Sequence, residues 1–270
     1  MPELPEVETT RRSLVPHLIG ARITDVTVRE HRLRQPLAAD FAVRLRTRAI
    51  DAIDRRGKYL LFDLDDGAAL LVHLGMSGSL ELAEATLPFA AHDHVAIALD
   101  RGMRLVFNDP RRFGLLQVGH RSTLAEWCGV GRDALADPPG LEDWRALTRG
   151  RRLPIKNLLM DQRVLGGIGN IYANEMLFQA GIRPRRRAAS LSRNQLVRLG
   201  EAMQAVLARA LALGGSSISD YRDANGRRGN FQIHHAVYDR AGQPCVACGA
   251  PIKCIVLSGR STFYCPRCQS

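Results

Sequence analysis

The chain has 270 residues, of which 46% are hydrophobic, and its 38 Lys and Arg against 27 Asp and Glu give a formal net charge of +11. This length suits one large domain or two smaller ones, and no apolar run approaches the ~18 residues of a membrane span, so we expect a cytoplasmic protein with no membrane partner. The basic excess favours a polyanionic partner, most often nucleic acid, although a solvated basic surface would have the same composition.

The first segment, MPELPE, predicts the start of a helix over about residues 6–14. Proline suits the first turn of a helix, and acidic residues suit its positive end. The segment also allows a catalytic interpretation. If Met1 is removed, Pro2 carries a free secondary amine with a pKa near ~8, and such an amine can form a Schiff base. Glu3 and Glu6 would then lie close enough to transfer protons.

The following part of the chain has the pattern of β-strands. Residues 59–64 and 69–74 flank one tight turn, and residues 95–99 and 104–107 flank another. Val95, Ile97 and Leu99 alternate with smaller or polar residues as they do in a half-buried strand. Several such hairpins in succession predict a β-sandwich over roughly residues 1–125.

Loops of this predicted sandwich carry candidates for contact with a duplex. The loop 108–114 would project Phe113 beside Arg111, and proteins that disrupt a duplex insert an apolar wedge of this kind. The alternative is a core phenylalanine next to surface arginines. Met76 follows a strand and could act similarly or fill the core. Lys58 is either a phosphate or catalytic contact or a solvated lysine at a strand end.

Beyond a predicted linker at 129–140, the pattern is helical. A helix near 155–159 and a second that begins with Asn170 as its cap flank a glycine-rich turn, and a third helix begins near Ser192. Two helices joined in this way resemble helix–turn–helix DNA binders, although the same hairpin is common as pure packing. Residues 145–193 contain eleven Lys or Arg against two acidic residues, a local charge of +9. This basic segment favours nucleic-acid binding.

Two features close the chain. The polar stretch 220–230 is long enough to predict a lid. After it come two cysteine pairs whose spacing predicts a tetrahedral zinc site. About 30 residues cannot hold a core alone, so the metal must supply folding energy, and four thiolates leave no position for substrate. The remaining Cys128 and Cys254 are interpreted as bystanders. The four candidate ligands are Cys245, Cys248, Cys265 and Cys268.

Together these motifs resemble the formamidopyrimidine-DNA glycosylase family, bacterial repair enzymes that act on 8-oxoguanine. The matching segments run from the first residue to the last in the family's order. They are MPELPEVE at 1–8, KYL at 58–60, HLGMSG at 73–78, NDPRRFG at 108–114, GNIYANE at 169–175 and the cysteine pairs. One departure is Asn230, which stands where the family usually has an aromatic residue in the loop 216–231 that closes over the extruded base.

The resemblance implies an α+β fold in three parts. Residues 1–130 would form a catalytic β-sandwich with an N-terminal helix, and residues 131–235 a helical DNA-binding domain with a helix–two-turn–helix motif and the lesion-capping loop. Residues 236–270 would form a zinc-finger β-hairpin with one structural Zn²⁺. The expected partner is double-stranded DNA with oxidised bases or abasic sites. We expect a monomer located at the bacterial nucleoid.

The resemblance also implies an activity, excision of oxidised purines followed by β,δ-elimination at the abasic site. Pro2 would attack C1′ of the damaged nucleotide with Glu3 as the proton donor and Glu6 in the same pocket. Lys58 would assist β-elimination, and Arg260 would bind phosphate and assist δ-elimination.

Six further positions correspond to family residues that contact DNA. Three of them fill the gap left by the flipped nucleotide, namely Met76, Arg111 and Phe113. The other three face the DNA backbone, namely His92, Arg152 and Asn170.

Two alternatives remain open. One is an enzyme of the endonuclease VIII type, which prefers oxidised pyrimidines. The N-terminus of that enzyme typically has glycine where this chain has Leu4, so Leu4 favours the purine enzyme. The other is a non-catalytic zinc-bearing DNA-binding relative. That alternative explains the charge and the cysteines, but it leaves Pro2 and Glu3 without a purpose.

Overall fold

The fold was analysed in a computed structural model that describes residues 1–216, 224 and 229–270. The chain divides into two compact units. Unit 1 comprises Met1–Gly129 with Leu213–Asn230, and unit 2 comprises Val130–Ala212 with Phe231–Ser270. Most of the predicted lid at 220–230 lies outside the described residues. Among the described residues, no helix has the length and apolar character needed to cross a bilayer.

Unit 1 is a β-sandwich preceded by a helix, as the sequence predicts. Its helices are α1 (Leu4–Leu18), α2 (Phe41–Leu45) and α3 (Arg121–Trp127). The first sheet has the order β1 (Ile23–Val28), β6 (Asp93–Leu99), β7 (Met103–Asn108) and β5 (Ser79–Glu84). The second has the order β2 (Ile50–Arg56), β3 (Tyr59–Leu64), β4 (Ala68–His73) and β8 (Leu115–His120). All pairings in these two sheets are antiparallel, which confirms the hairpins expected at β3–β4 and β6–β7.

The core of unit 1 contains side chains from both sheets and from one face of α1. Leu14 and Leu18 of the helix are fully buried with Ile53 of β2 and Ile97 of β6. Removing this apolar surface from water is what stabilises the packing of a helix on strands. The helix is longer than predicted at both ends, since it runs from Leu4 to Leu18.

Unit 2 is mainly helical. Its helices are α4 (Leu141–Thr148), α5 (Ile155–Met160), α6 (Asn170–Gln179) and α7 (Arg193–Ala212). Two short segments, β9 (Arg132–Asp133) and β10 (Leu165–Gly166), pair in parallel, so part of the predicted linker is ordered structure. Asn170 was wrongly predicted as a cap, since Gly169 takes that position with an extended backbone. The chain ends in an antiparallel hairpin of β11 (Lys253–Leu257) and β12 (Arg260–Tyr264).

A buried ion cluster fastens α1 to β2. The Glu8 carboxylate accepts hydrogen bonds from Arg11, Arg12 and Arg55, with nitrogen–oxygen distances of 2.8–3.0 Å. Arg55 also donates to the carbonyl of Gly57 at 3.0 Å, one residue before Lys58. The cluster therefore connects the helix that follows the N-terminus to the β2–β3 turn that presents Lys58.

The Glu8 cluster predicts a pH-dependent stability. Burial alone raises the pKa of Glu8, but hydrogen bonds from Arg11 and Arg12 lower the pKa to about 2, against an ordinary value of 4.5. A lowered carboxyl pKa stabilises the folded state above about pH 4.5, and this contribution disappears as the pH falls towards 2. Glu8→Gln should therefore lower the free energy of unfolding by about 3 kcal/mol at pH 7 and by progressively less below pH 4.5.

Urea unfolding at a series of pH values measures this difference. Glu142→Gln is the matched control because Glu142 makes an exposed pair with Arg145 three residues away, and such pairs contribute at most ~1 kcal/mol. A difference between wild type and Glu8→Gln that stays constant from pH 7 to pH 3 would contradict the assignment.

Candidate functional site

The first turn of α1 is buried and held by one carboxylate. Pro2, Glu3 and Glu6 are all buried, and the Glu6 carboxylate accepts the backbone N–H of Glu3 at 2.8 Å. Its other oxygen accepts the backbone N–H of Ser216 at 2.7 Å. Gly215 has φ +81°, and any side chain there would collide with Glu6. Glu6 is therefore placed to hold the N-terminal turn and residue 216 in a fixed relation within unit 1.

Charged groups surround the N-terminal amine in unit 1. Burial lowers the pKa of the Met1 amino group, the carboxylates of Glu3 and Glu6 raise it, and the cations of Lys58 and Arg111 lower it. The net effect is a lowered pKa, so a larger fraction of the amine is uncharged at neutral pH. Lys58 is itself buried, although the sequence left a solvated lysine as an alternative. Four of the predicted residues are thus electrostatic neighbours of the chain's first nitrogen.

Two predicted wedge residues are exposed side chains of unit 1. Phe113 is 45% exposed and Met76 is 41% exposed, which excludes the alternative of core residues. The guanidinium of Arg111 lies over the Phe113 ring at 4.8 Å from its centroid. Its neighbour Arg112 ion-pairs with Glu30 at 2.8 Å. The two consecutive arginines therefore have different partners, and Arg111 is the one that accompanies the ring.

His92 lies in a turn just before β6 that is held by hydrogen bonds. It is exposed and has a left-handed backbone with φ +67°. Arg29 donates to two carbonyls of the same turn, those of residues 90 and 93, at 3.2 Å. The ring of Phe89 lies near the guanidinium groups of Arg29 and Arg104, at 4.9 and 4.2 Å from its centroid. The imidazole of His92 is consequently presented by a well-supported piece of backbone.

His73 is a buried histidine to which the sequence gives no role beyond its place in a motif. Burial lowers its pKa to about 4, and the charges of Lys58 and Arg34 act in the same direction. Its Nδ1 accepts the backbone N–H of Gly75 at 2.9 Å, which a neutral ring can do. The HLGMSG pattern was the available signal, because it places a polar ring directly before a glycine turn. His73 supports the turn that presents Met76.

The predicted DNA-facing residues of unit 2 lie near the β11–β12 hairpin or at the start of α5. Arg260 is exposed at the hairpin turn, where Ser258 and Gly259 both have positive φ, as a two-residue turn between twisted strands requires. Asn170 donates from Nδ2 to the carbonyl of Ser261 at 3.1 Å, which ties the start of α6 to this hairpin. Arg152 is exposed just before α5.

Lys156 is a supporting residue that sequence reasoning missed. Its ammonium is buried and donates to the carbonyl of Ser261 at 3.0 Å and to Oγ1 of Thr262 at 2.6 Å. A buried charge is stable only where such acceptors surround it. Only the basic cluster of the segment signalled this lysine, because its acceptors lie about a hundred residues later in the chain. It fixes the strand that begins with Arg260.

The motif at 169–175 also serves as a structural anchor within unit 2. The Glu175 carboxylate accepts three successive backbone N–H groups, those of residues 236–238, at 2.8–3.0 Å. Burial raises the pKa of Glu175, and the three hydrogen bonds act in the opposite direction. Oδ1 of Asn174 accepts the N–H of Phe263 at 2.9 Å. The helix α6 thus holds both the hairpin and the turn that precedes the cysteines.

The four predicted cysteine ligands converge in unit 2. All four sulfurs lie within 4.8 Å of one another. Two of the Sγ–Sγ distances are 3.9 Å and 3.5 Å. A tetrahedral zinc site with Zn–S bonds of ~2.3 Å places its sulfurs roughly 3.8 Å apart. Backbone N–H groups of residues 247 and 268 also point at two of the sulfurs, at 3.4 Å. The arrangement fits one structural zinc ion with four thiolate ligands.

Family models cover most of the chain. Residues 1–116 match the formamidopyrimidine-DNA glycosylase N-terminal domain, residues 130–222 match the H2TH domain of the same enzymes, and residues 242–270 match the zinc finger found in FPG and IleRS. Among curated relatives, proteins named formamidopyrimidine-DNA glycosylase from Methylococcus capsulatus and Stutzerimonas stutzeri are 46% and 45% identical. In both comparisons the match covers 100% of this chain and of the relative.

Solved structures show the same likeness. The MutM (Fpg) protein of Thermus thermophilus is 41% identical with a TM-score of 0.89, over 99% of this chain and 98% of that one. Lactococcus lactis Fpg in complex with DNA containing an abasic site is 32% identical with a TM-score of 0.91, over 99% of each chain. The wild-type Lactococcus lactis protein with DNA containing N7-benzyl-Fapy-dG is 33% identical with a TM-score of 0.91, over 100% of each chain.

The cysteine cluster predicts a specific response to loss of one ligand. Cys248→Ser removes a thiolate, so the chain should lose bound zinc and the amide protons of β11 and β12 should exchange rapidly, because metal binding supplies the folding energy of so small a segment. Cys254→Ser is the matched control, since Cys254 is exposed on β11 outside the cluster. Elemental analysis and hydrogen exchange measure the two effects. Full zinc content in Cys248→Ser, or loss of zinc in Cys254→Ser, would contradict the assignment.

Proposed function

The chain belongs to the formamidopyrimidine-DNA glycosylase family, and on that basis we propose that it excises oxidised purines, 8-oxoguanine and formamidopyrimidines, from duplex DNA. It then cleaves the strand at the abasic site, as a monomer in the bacterial cytoplasm. The observation that carries the proposal is the buried N-terminal turn, where two carboxylates and two cations surround the first nitrogen of the chain. A DNA-binding module without chemistry has no use for that arrangement.

The reaction begins once Met1 has been removed, because the nitrogen of Pro2 is otherwise a peptide amide without a free lone pair. The amine forms a bond to C1′ of the damaged nucleotide and loses its proton, while the bond from C1′ to the base breaks and the base leaves with a proton. Glu3 gives a proton to the sugar ring oxygen when the C1′–O4′ bond opens. The product is an iminium between Pro2 and the opened sugar.

The surroundings of the N-terminus support this chemistry. Burial and the cations of Lys58 and Arg111 lower the pKa of the Met1 amine, and the same groups would act on the amine of Pro2 one residue later. A lower pKa increases the uncharged, nucleophilic fraction near neutral pH. Glu6 supports the reaction by position, since both of its oxygens accept backbone N–H groups that hold the turn.

Access to C1′ requires that the nucleotide leave the base stack. Met76, Arg111 and Phe113 would occupy the vacated space, with the Phe113 ring between bases and the Arg111 cation beside it. A damaged base is cheaper to extrude than an intact one, which gives part of the selectivity. The exposure of Met76 and Phe113 leaves both apolar side chains accessible to the bases of a bound duplex.

Contacts to phosphates would position the duplex without reading its sequence. His92 in unit 1 and Arg152, Asn170 and Arg260 in unit 2 are the residues for this role. Lys58 would assist β-elimination, which breaks the bond to the 3′ phosphate. Arg260 would assist the δ-elimination that follows, which breaks the bond to the 5′ phosphate. Binding to intact duplex should be weak and should decrease steeply with salt.

Borohydride trapping tests the covalent step. Wild-type protein incubated with an 8-oxoguanine duplex and borohydride should form a stable adduct, because reduction of the iminium makes the Pro2–C1′ bond permanent. Protein in which Met1 is retained, verified by intact mass, is the matched control and should form none. A parallel duplex with an oxidised pyrimidine tests the endonuclease VIII alternative. An adduct whose mass maps to a lysine would refute the role of Pro2.

Arg260→Ala should separate the two eliminations. We expect the variant to excise 8-oxoguanine and to nick the strand by β-elimination, while the product with phosphate at both ends of the gap falls by about tenfold, the size expected for loss of one charged contact. Lys253→Ala removes a cation from the other end of the same hairpin and should keep the wild-type product ratio. Gel analysis of the 3′ ends gives the ratio. An unchanged ratio in Arg260→Ala would exclude the assignment.

A further inference from the structure

Asp109 is a fully buried carboxylate to which the proposed function assigns no role. It begins the loop 109–114, which carries Arg111 and Phe113. Its Oδ1 accepts the backbone N–H of Arg111 at 3.3 Å, and its Oδ2 accepts the backbone N–H of Gly114 at 2.7 Å. One side chain therefore closes this loop on itself, at the residue beside the Phe113 ring.

The same carboxylate also reaches the loop that carries Met76. Oγ of Ser77 donates to Oδ1 of Asp109 at 2.6 Å, a short charge-assisted hydrogen bond. That hydroxyl oxygen in turn accepts the backbone N–H of Arg111 at 3.2 Å. Ser77 follows Met76 directly, so the hydrogen bonds of Asp109 link both loops that present wedge residues.

The two loops touch backbone to backbone. Gly75 has φ +64°, and a Cβ there would collide with the backbone of Phe113 and Gly114. A Cβ at Gly114 would collide with the ring of Phe107 and approach the Asp109 carboxylate. No side chain separates the loops at this point. A shift of one loop must therefore move the other, and the carboxylate lies where they meet.

The backbone of Asp109 extends the connection to the turn of His92. Its N–H donates to the carbonyl of His92 at 3.1 Å, and its carbonyl accepts from Nε2 of His94 at 2.8 Å. Asp109 thus has contacts with three segments that carry proposed DNA-binding residues. The Asp109 side chain itself would not contact DNA, because it is entirely inside the protein.

We infer that Asp109 is a positioning residue for the extrusion of the damaged nucleotide, holding Met76, Arg111 and Phe113 in one arrangement before DNA is bound. The inference rests on the proposed function. Without the carboxylate, the loops would have to be ordered when the duplex binds, and that ordering would reduce the free energy available for opening the stack. The chemistry at C1′ does not involve Asp109.

Asp109→Asn tests the inference on two substrates. Asparagine has the same shape as aspartate, but its NH₂ group replaces one oxygen of the carboxylate. A donor group must then face a hydrogen-bond donor that the carboxylate oxygen would accept. On an 8-oxoguanine duplex we expect kcat/KM to fall at least about tenfold, which corresponds to about 1.4 kcal/mol. On a single-stranded oligonucleotide with an abasic site, where no base has to be extruded, the rate of borohydride trapping should stay within about twofold, well below that tenfold step.

The matched control is Asp63→Asn. Asp63 is a half-buried carboxylate of β3 that ion-pairs with Arg121 at 2.7 Å, outside the wedge loops. The control should retain both rates. An equal loss of both rates in Asp109→Asn would overturn the inference, because it would mean a general defect of the fold. Wild-type protein that forms no adduct with either substrate would instead refute the proposed function.

A double-mutant cycle distinguishes positioning from a merely structural role. If Asp109 acts through the wedge, Asp109→Asn combined with Phe113→Ala should be no slower on duplex than the slower single variant. Rate losses that multiply in the double variant would overturn the inference.

Should Asp109→Asn fail to fold, Ser77→Ala carries the same test, because it removes the hydrogen bond that joins the two loops. Its expected loss is about threefold and confined to duplex, the size of a single hydrogen bond, and an unchanged duplex rate would overturn the inference.

Discussion

The arrangement of unit 1 depends on the interactions that hold the N-terminus of the chain in place. The proposed nucleophile is a backbone nitrogen with no side chain to orient it, so its position depends on the segment that leads into α1. Glu6 fixes that turn from inside through the N–H of Glu3, and Glu8 fixes the next turn through Arg55. Both carboxylates are buried and fully engaged. The helix α1 therefore fixes the position of Pro2 and Glu3, which directly precede it.

In unit 2 the β11–β12 hairpin is held in place by a different set of interactions. Ile252 and Phe263 at this hairpin join only a small apolar cluster with Val237, and zinc held by the four cysteines would add folding energy that so small a cluster cannot supply. The metal site alone would leave the tip of the hairpin free, but Lys156 and Asn170 hold Ser261 from two different helices. Glu175 holds the turn that leads into the cysteines. Within the basic segment, Lys156 is a cation whose place in the folded protein is to support the strand that begins with Arg260.

Much of this architecture could be predicted from the sequence. Strand patterns, a cysteine spacing and a glycine turn are local signals that identified their elements, and the sequence motifs together identified the family. The supports could not be predicted, because Lys156, Asp109 and Glu8 bind partners that lie up to about a hundred residues away and no local pattern marks those partners. Asn170 was mistaken for a cap for the same reason, since its amide bonds to Ser261 on the hairpin.

The carboxylate of Glu6 joins two distant segments of unit 1. It is a planar group with one oxygen bound to the N–H of residue 3 and the other to the N–H of residue 216, and it occupies the space that a side chain at residue 215 would need. The N-terminal turn and residue 216 are more than two hundred positions apart in the chain, and this carboxylate couples them energetically. By thermodynamic reciprocity, whatever draws residue 216 into place stabilises the N-terminal turn by the same free energy, and a substrate bound at that turn in the proposed reaction would stabilise residue 216 in return.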